Sequence, residues 1–429
     1  MQEVEELKGF NMLKTSIKPW VICFSASLFF FYQFIQGNMF ASIADNIMHD
    51  FHIEADKMNY LSSGFYLSNV IFLFVAGMVL DRFSTKKTLL LAMLLSVVGT
   101  FTLAYSSSFS TALVSRFMTG TGSAFCFLGP IRLASLWFPP KRMALVTGSI
   151  VTMAMTGGML AQYPMTRLVL QMGWRDSVVV VASLGLVLLC LMAIGIEDKP
   201  QENRNHKPHS RDLLSILKKA YASLQTWRAA FYCSLMNMGV AVFGAMMGSL
   251  YLMQRLSVSK AEASMVNSML FLGCIVGAPL IGWCSDRLRL RILPMKIGVV
   301  TSLLTILAIL YLPVSLPVMA ILFFLLGFFT AAQCVSYPLV AESSPDHLIA
   351  AAVSIVSILT QGGYILYQYL FSQILLWHGE MHMVNGVPIY SLADYQTAAL
   401  ILPIGFCLAW VALLKLKETH CHPVEEHME

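Results

Sequence analysis

Runs of about twenty mostly apolar residues, the length that carries an α-helix through a bilayer, constrain this chain more than any other feature. They fall near 19–46, 58–80, 88–106, 110–138, 143–168, 176–196, 227–253, 262–283, 292–311, 315–340, 348–377 and 395–415. Hydrophobic residues make up 57% of the 429 positions and charged ones 12%. One soluble core of this size cannot hide so much apolar surface, so lipid must cover part of it. Hydrocarbon offers no partner to a free backbone group, and the runs are too long for barrel strands. Each run is expected to be a helix. The expected fold is an all-α membrane protein with 12 transmembrane helices.

A repeat sharpens this. Gly77 to Lys87 reads GMVLDRFSTKK and Gly282 to Arg291 reads GWCSDRLRLR, so a Gly, an Asp-Arg four residues on and a basic cluster recur 205 positions apart. The same offset carries Gly157-Gly158 onto Gly362-Gly363, Pro140 onto Pro345, and Ser149-Ile150-Val151 onto Ser354-Ile355-Val356. A half-length repeat in so apolar a chain points to two pseudo-symmetric six-helix bundles, as in secondary transporters. The expected boundaries are 1–196 for the first bundle, 197–226 for a cytoplasmic linker and 227–429 for the second bundle. The linker opens EDKPQENRNHKPHSRDLL, a polar break in the pattern, and Leu213 to Leu224 has the spacing of a short surface helix. Apart from 378–394 the other loops are short, which leaves no room for an enzymatic head domain.

Orientation follows from Lys and Arg. Of the 28, twenty-one fall on the side shared by both termini, five fall opposite, and Arg116 and Arg132 lie inside spans. Termini and linker are therefore expected in the cytoplasm. The net charge of +5 reflects this topology and gives no reason to expect nucleic acid. No cleavable signal peptide is visible, because the first apolar run is too long and lacks a small-residue cleavage site. The nine Cys are scattered without metal-ligand spacing and read as small packing residues. No metal and no cofactor is expected. The lack of any Asn-x-Ser/Thr sequon favours a bacterial inner membrane.

The chain resembles the major facilitator superfamily. The resemblance rests on the paired loop motif, on Arg116-x-x-x-Gly120-x-Gly122 in the fourth span, on WFPPKR at 137–142, and on GWR at 173–175 opening the sixth. It covers essentially the whole chain except the linker and 418–429. It implies two six-helix bundles, alternating access and one central site between them. It also implies that Asp81, with Gly77 and Arg82, closes the cytoplasmic side by meeting a neighbouring helix N-terminus, and that Asp286 and Arg287 form a weaker echo. Gly77 is expected to permit close helix contact, and a helix dipole favours an anion at such a terminus.

Arg116 is costly to bury, at least about 2.5 kcal/mol. The resemblance gives it a part in proton coupling or in holding the fourth helix against its neighbours. Arg132, after Gly129-Pro130 in the same span, suits a carboxylate or phosphate on the substrate; the competing reading is a side chain that snorkels to the cytoplasm. Tyr32, Gln33 and Gln36 in the first span, Gln162 in the fifth, Asn237 in the seventh, Gln333 and Tyr337 in the tenth, and Gln361 and Tyr364 in the eleventh complete a polar substrate pocket. The same groups would serve equally as interhelical hydrogen bonds. All ten His fall in loops or tails. Asp45 and Glu342 are the carboxylates nearest a span interior, which leaves symport with protons, uniport and exchange open. The family's antiporter pattern G-x8-G-x3-G-P is met at Gly148 and Gly157 but fails at Ala161-Gln162, with Pro164 displaced.

The function expected is secondary transport of a small polar solute with an acidic group, such as an amino acid, short peptide or organic acid, by a monomer in the lipid bilayer. The alternatives are an exporter of siderophore-like or toxic compounds and a transporter-like sensor that moves nothing.

Overall fold

The computed structural model describes residues 2–53, 55–138, 143–198, 223–345, 348–378, 382–384 and 387–422. Most of the linker, and with it the surface helix expected from Leu213, lies outside the described residues. The helices assemble into twelve spans. Span 1 lies within Gln2–Asn38 and continues as Phe40–Phe51; span 2 is Ala55–Arg82 and span 3 Thr85–Ala104. Span 4 is Phe109–Ser123 followed by Leu128–Trp137. Span 5 runs from Met143–Leu160 into the start of Tyr163–Gly195, and Gly173, at φ +82°, divides it from span 6. Span 7 is Leu224–Met236, a π-helical segment Val240–Met247 and Gly248–Leu256. Spans 8 and 9 are Lys260–Leu288 and Ile292–Tyr311. Span 10 joins Leu316–Thr330, a 3₁₀ turn Ala331–Val335 and Ser336–Glu342; span 11 is Ile349–His378; span 12 is Leu392–Ala399 with Ile401–Leu414.

Local chemistry sets these boundaries. Ser84, Ser108 and Ser223 each accept a backbone N–H three residues on, and Ser259 with Glu262 and Ser391 with Asp394 form capping boxes. The spans are all helical, as expected, and one loop adds a short hairpin. In the loop before span 12, His382–Val384 pairs antiparallel with Val387–Ile389. Loop backbone outside the bilayer can pair in this way, and apolar spacing carried no signal for it.

Each half has its own core. One gathers residues from Ile22 to Ile196; the other gathers Ala229 to Leu416 and takes in Phe65, Tyr66 and Met155 of the first half. Outward faces are apolar, as Ile404, Leu408 and Val411 on span 12 illustrate, and they match lipid. Within the first half, the Arg-x3-Gly-x-Gly element brings three helices together. A Cβ on Gly120 would stand 2.2 Å from the Phe65 carbonyl oxygen of span 2, and one on Gly122 would stand 2.6 Å from that of Ala92 in span 3. Only glycine lets span 4 seat both backbones.

Among the described residues six spans are interrupted, spans 5 and 12 at 161–162 and at Leu400, and the interruptions of the other four obey the repeat. The break of span 1 at Met39 maps by the 205 offset onto Gly244, inside the π segment of span 7. The non-helical turn at 124–127 of span 4 maps onto 329–332, which overlaps the 3₁₀ turn of span 10.

Candidate functional site: a cavity between the halves

The two faces of the bundle differ. On the face away from the termini, called the far face here, polar groups stitch the halves together. Gln162, at the turn inside span 5, donates through Nε2 to the Gly244 carbonyl at 2.8 Å and accepts through Oε1 from Asn267 Nδ2 at 2.8 Å. Asn267 also donates to Phe243 O, and Gln368 Nε2 donates to Ala241 O. Three amides from spans 5, 8 and 11 thus serve carbonyls of the π segment, where irregular winding leaves acceptors to be satisfied. Ser62 of span 2 donates to Gln368 Oε1 at 3.1 Å. A hydroxyl chain links Ser42, Thr166, Ser264 and Ser249. At the rim, Lys260 Nζ and Asp45 Oδ2 lie 2.6 Å apart.

A second far-face cluster lies within the first half. Asp50 accepts from Trp174 Nε1 at 2.8 Å and from Arg175, whose Nη2 also donates to Ser106 O. The Trp174 hydrogen bond, aided by Arg175 against a smaller effect of burial, holds the Asp50 carboxyl below its ordinary value. The GWR element therefore ties spans 1, 3 and 6.

Toward the face that carries the termini, the near face, ring packing joins the halves among the described residues. The rings of Phe127 and Tyr337 meet across them at 5.6 Å. A Cβ on Gly77, Gly148 or Gly362 would meet nothing within 4 Å. Between the two faces lies a small cavity of about 20 Å³, lined among others by Gln33, Asn38, Tyr66 and Ser123 of the first half and by Gln361 and Tyr364 of the second. That is room for about one water molecule, well short of the about 300–1,000 Å³ of small-molecule sites, so a solute enters only as the halves move apart.

Of the residues expected in the pocket, Gln33, Gln361 and Tyr364 line this cavity, and the Tyr364 ring lies 5.0 Å from that of Tyr66. Tyr32 turns the other way: Thr100 gives its proton to Ser96 O, so the Tyr32 phenol donates to Thr100 Oγ1 at 2.9 Å. Gln36 is fully buried, and its carbonyl accepts from Arg116. Gln333 donates to Asn237 Oδ1 at 3.1 Å, joining the interruptions of spans 7 and 10. Gln162 belongs to the far-face stitching described above. Arg132 is half-buried on the near side of span 4. Tyr66, Asn38 and Ser123 were missed, although Asn38 directly precedes the helix break.

Arg116 is fully buried. Its Nε donates to Leu61 O at 3.3 Å and its Nη1 to Gln36 O at 3.2 Å, and its Cζ lies 4.3 and 4.6 Å from the Phe40 and Phe65 ring centres. Cation–π contacts and two carbonyls here do the work of a counter-ion. This geometry holds span 4 against spans 1 and 2.

The family profile described as Major Facilitator Superfamily matches residues 24–249 and again 229–426. The chain belongs to this superfamily. A Bacillus subtilis hexuronate transporter is 25% identical over 41% of this chain and 42% of its own length, so that match spans less than half of the relative. A Danio rerio lysosomal dipeptide transporter is 21% identical over 73% of this chain and 71% of its own. The Escherichia coli membrane sensor protein UhpC is 24% identical over 82% and 84%. A bacterial homologue of the human lysosomal transporter Spinster, solved in an inward-facing and unoccupied conformation, superposes with TM-score 0.66 at 17% identity, over 92% of this chain and 95% of that one.

The superfamily's loop motif closes spans 2 and 8 on the near face. In this conformation Gly77 fronts open space among the described residues. The Asp81 side chain lies outside the described residues, and Arg82 is exposed. In the second half the motif is engaged within its own bundle. Arg291 bridges Asp286 and Glu342, each at 2.6 Å, while Arg287 lies over the Trp283 ring. Burial alone would depress Arg291, yet the hydrogen bonds and charges of Glu342 and then Asp286 outweigh it and hold the guanidinium above its ordinary value. Glu418 accepts from the backbone N–H groups of Arg291 and Ile292. The repeat reappears here, since Asp198 accepts from Lys86 N, 205 positions before Arg291. In each bundle an acid past the last span caps the third span of that bundle, which accords with the helix dipole.

Proposed function

We propose that this superfamily member is a secondary transporter for a small polar organic solute with an acidic group, such as an amino acid, short peptide or organic acid. It works by alternating access in the bacterial cytoplasmic membrane, with its termini in the cytoplasm. The observation that carries this reading is the set of four helix interruptions, paired by the 205-residue offset, around a polar cavity between halves stitched on one face. Discontinuous helices facing each other between repeats are where transporters place their solutes. The relatives named for hexuronate and dipeptide transport support an acid-bearing cargo. With the far face stitched and the near face parted, the conformation is inward-facing.

In this reading Arg132 meets the solute's carboxylate as the solute enters or leaves on the near side. Gln33, Gln361 and Tyr364 contact the solute in the cavity. Tyr32, Gln36, Asn237, Gln333 and Tyr337 support the interrupted helices around it. Asp45 and Glu342, both ion-paired at the rims, act as gate charges, and Asp81, Arg82, Asp286 and Arg287 serve the near gate. Gln162, standing where the family's antiporter pattern has Gly-Pro, argues against a drug/proton antiporter.

Counterflow in proteoliposomes tests the proposal. Vesicles preloaded with a hexuronate, a dipeptide or a short organic acid should accumulate the labelled form of at least one, and Arg132→Ala should abolish this with expression intact. Full counterflow by Arg132→Ala would remove the acidic-group argument. No counterflow with any class would favour the second reading, a sensor, which the UhpC match over most of both chains supports.

A further inference from the structure

Two buried amides in the cavity are fixed in orientation by their partners. Gln33 donates through Nε2 to Ser96 Oγ at 2.6 Å, and the Ser96 hydroxyl is itself committed to Ala92 O at 3.0 Å. Ser96 can only accept, so the nitrogen must face it and the Gln33 oxygen must face away. Asn38 donates through Nδ2 to the Phe34 carbonyl at 2.8 Å, which likewise admits only a donor. Both residues line the cavity, they are 2% and 3% exposed, and both oxygens, Gln33 Oε1 and Asn38 Oδ1, are without a hydrogen-bond partner. A buried acceptor without a donor is costly. The cavity wall thus holds two unmet acceptors, to which a solute admitted as the halves move would bring donors.

The charge of those donors is also restricted. The Arg116 guanidinium lies 4.6 Å from the centre of the Phe65 ring, and Phe65 is part of the cavity wall. Its hydrogen bonds go to carbonyls, not to a carboxylate. A fixed positive charge behind the wall disfavours an ammonium group and favours neutral donors on an acidic solute.

We propose that Gln33 and Asn38 form a subsite that reads neutral hydrogen-bond donors on the solute, either the hydroxyls of a sugar acid or the amide N–H of a peptide. This rests on the transport reading above and narrows its cargo: an acid bare of such donors is rejected. A site built to accept hydrogen bonds discriminates strongly against a ligand lacking them.

Affinities of the purified full-length protein for glucuronate, N-acetyl-alanyl-alanine and cyclohexanecarboxylate, measured by thermal shift and by competition in counterflow, test this. Glucuronate or N-acetyl-alanyl-alanine should bind at least about tenfold more tightly than cyclohexanecarboxylate. Which of the two does so tells hydroxyl from amide. In Gln33→Met and Asn38→Leu the preference should collapse toward parity, with cyclohexanecarboxylate binding retained or improved. Equal affinity of the wild type for all three acids would overturn the subsite without any variant having to fold. Counterflow of an acid with a preference unchanged in both variants would overturn the subsite and leave the transport reading standing. Failure of all three acids to bind or move would overturn both.

Discussion

The far and near halves of the interface hold together by opposite means. On the far side the halves exchange directed hydrogen bonds: Gln162 with Gly244 and Asn267, Ser62 with Gln368, Thr166 with Ser264, and the Lys260–Asp45 ion pair. Near the termini, among the described residues, the ring contact of Phe127 with Tyr337 crosses between the bundles, and Arg291 is ion-paired within its own. Directed bonds at these distances specify one arrangement; ring contacts and bare glycines tolerate many. The difference teaches where the switch lies. The far side must break net contributions of about 0.5–1.5 kcal/mol per hydrogen bond, and the near side must supply new contacts, for which Gly77, Gly148 and Gly362 are the open positions.

The sharpest way to break this comparison is Gly77→Val. Its side chain meets nothing in the present arrangement, so thermal stability should change little. If the near face closes on this position, overpacking of about 1–3 kcal/mol should lower the closed population, and with it transport, by up to about a hundredfold. Unimpaired counterflow would show that closure does not use this surface. Gln162→Leu probes the other side. It leaves Gly244 O and one Asn267 interaction unmet, costing the stitched state about 2 kcal/mol, or about a thirtyfold shift in population. Spin-label distances between the far ends of spans 2 and 8 should lengthen; an unchanged distribution would deny Gln162 a latching role.

Much of this architecture was legible in the sequence, and for a physical reason. Hydrocarbon forces every run of about twenty apolar residues into one answer, and the 205-residue offset pairs Lys86 with Arg291, whose backbone N–H groups are capped alike by Asp198 and Glu418. Side-chain direction was less legible. Tyr32 and Gln33 are neighbours in sequence, yet one phenol serves Thr100 inside its bundle and the other amide faces the cavity. Helical spacing places residues on faces, but a break at Met39 resets the face just where it matters. The π segment of span 7 left no trace in composition, because its apolar residues would suit an α-helix equally. Gln162 was visible as an anomaly in the fifth span, and its partner 82 residues away on the other half was not.

A smaller effect is expected at the far rim. Asp45→Asn should weaken the contact with Lys260, whose side chain is 17% exposed against 35% for Asp45. A pair this open contributes about 1 kcal/mol at most, so the far side should open about fivefold more often, and added salt should reduce the difference between variant and wild type. The exchanged pair, Asp45→Lys with Lys260→Asp, should restore the original distribution. Lack of restoration would mean that Asp45 acts through some other group.

The mildest prediction concerns Asp50, which lies on the far face but inside one bundle and so should not sense the switch. Its folded carboxyl titrates below the ordinary value of 3.8, chiefly because Trp174 donates to the ionised form. The sign follows from linkage: a depressed value contributes stability that is present above 3.8 and lost as pH falls through the lower folded value. Because the side chain is 35% exposed, the contribution is screened, and Asp50→Asn should lower the melting temperature at neutral pH by only about 1–2 °C. That gap should close on acidification below pH 3.8, while spin-label distances across the far face stay as in the wild type. A gap that persists unchanged into acid would mean that packing around Trp174, rather than the charge of Asp50, holds the start of span 6.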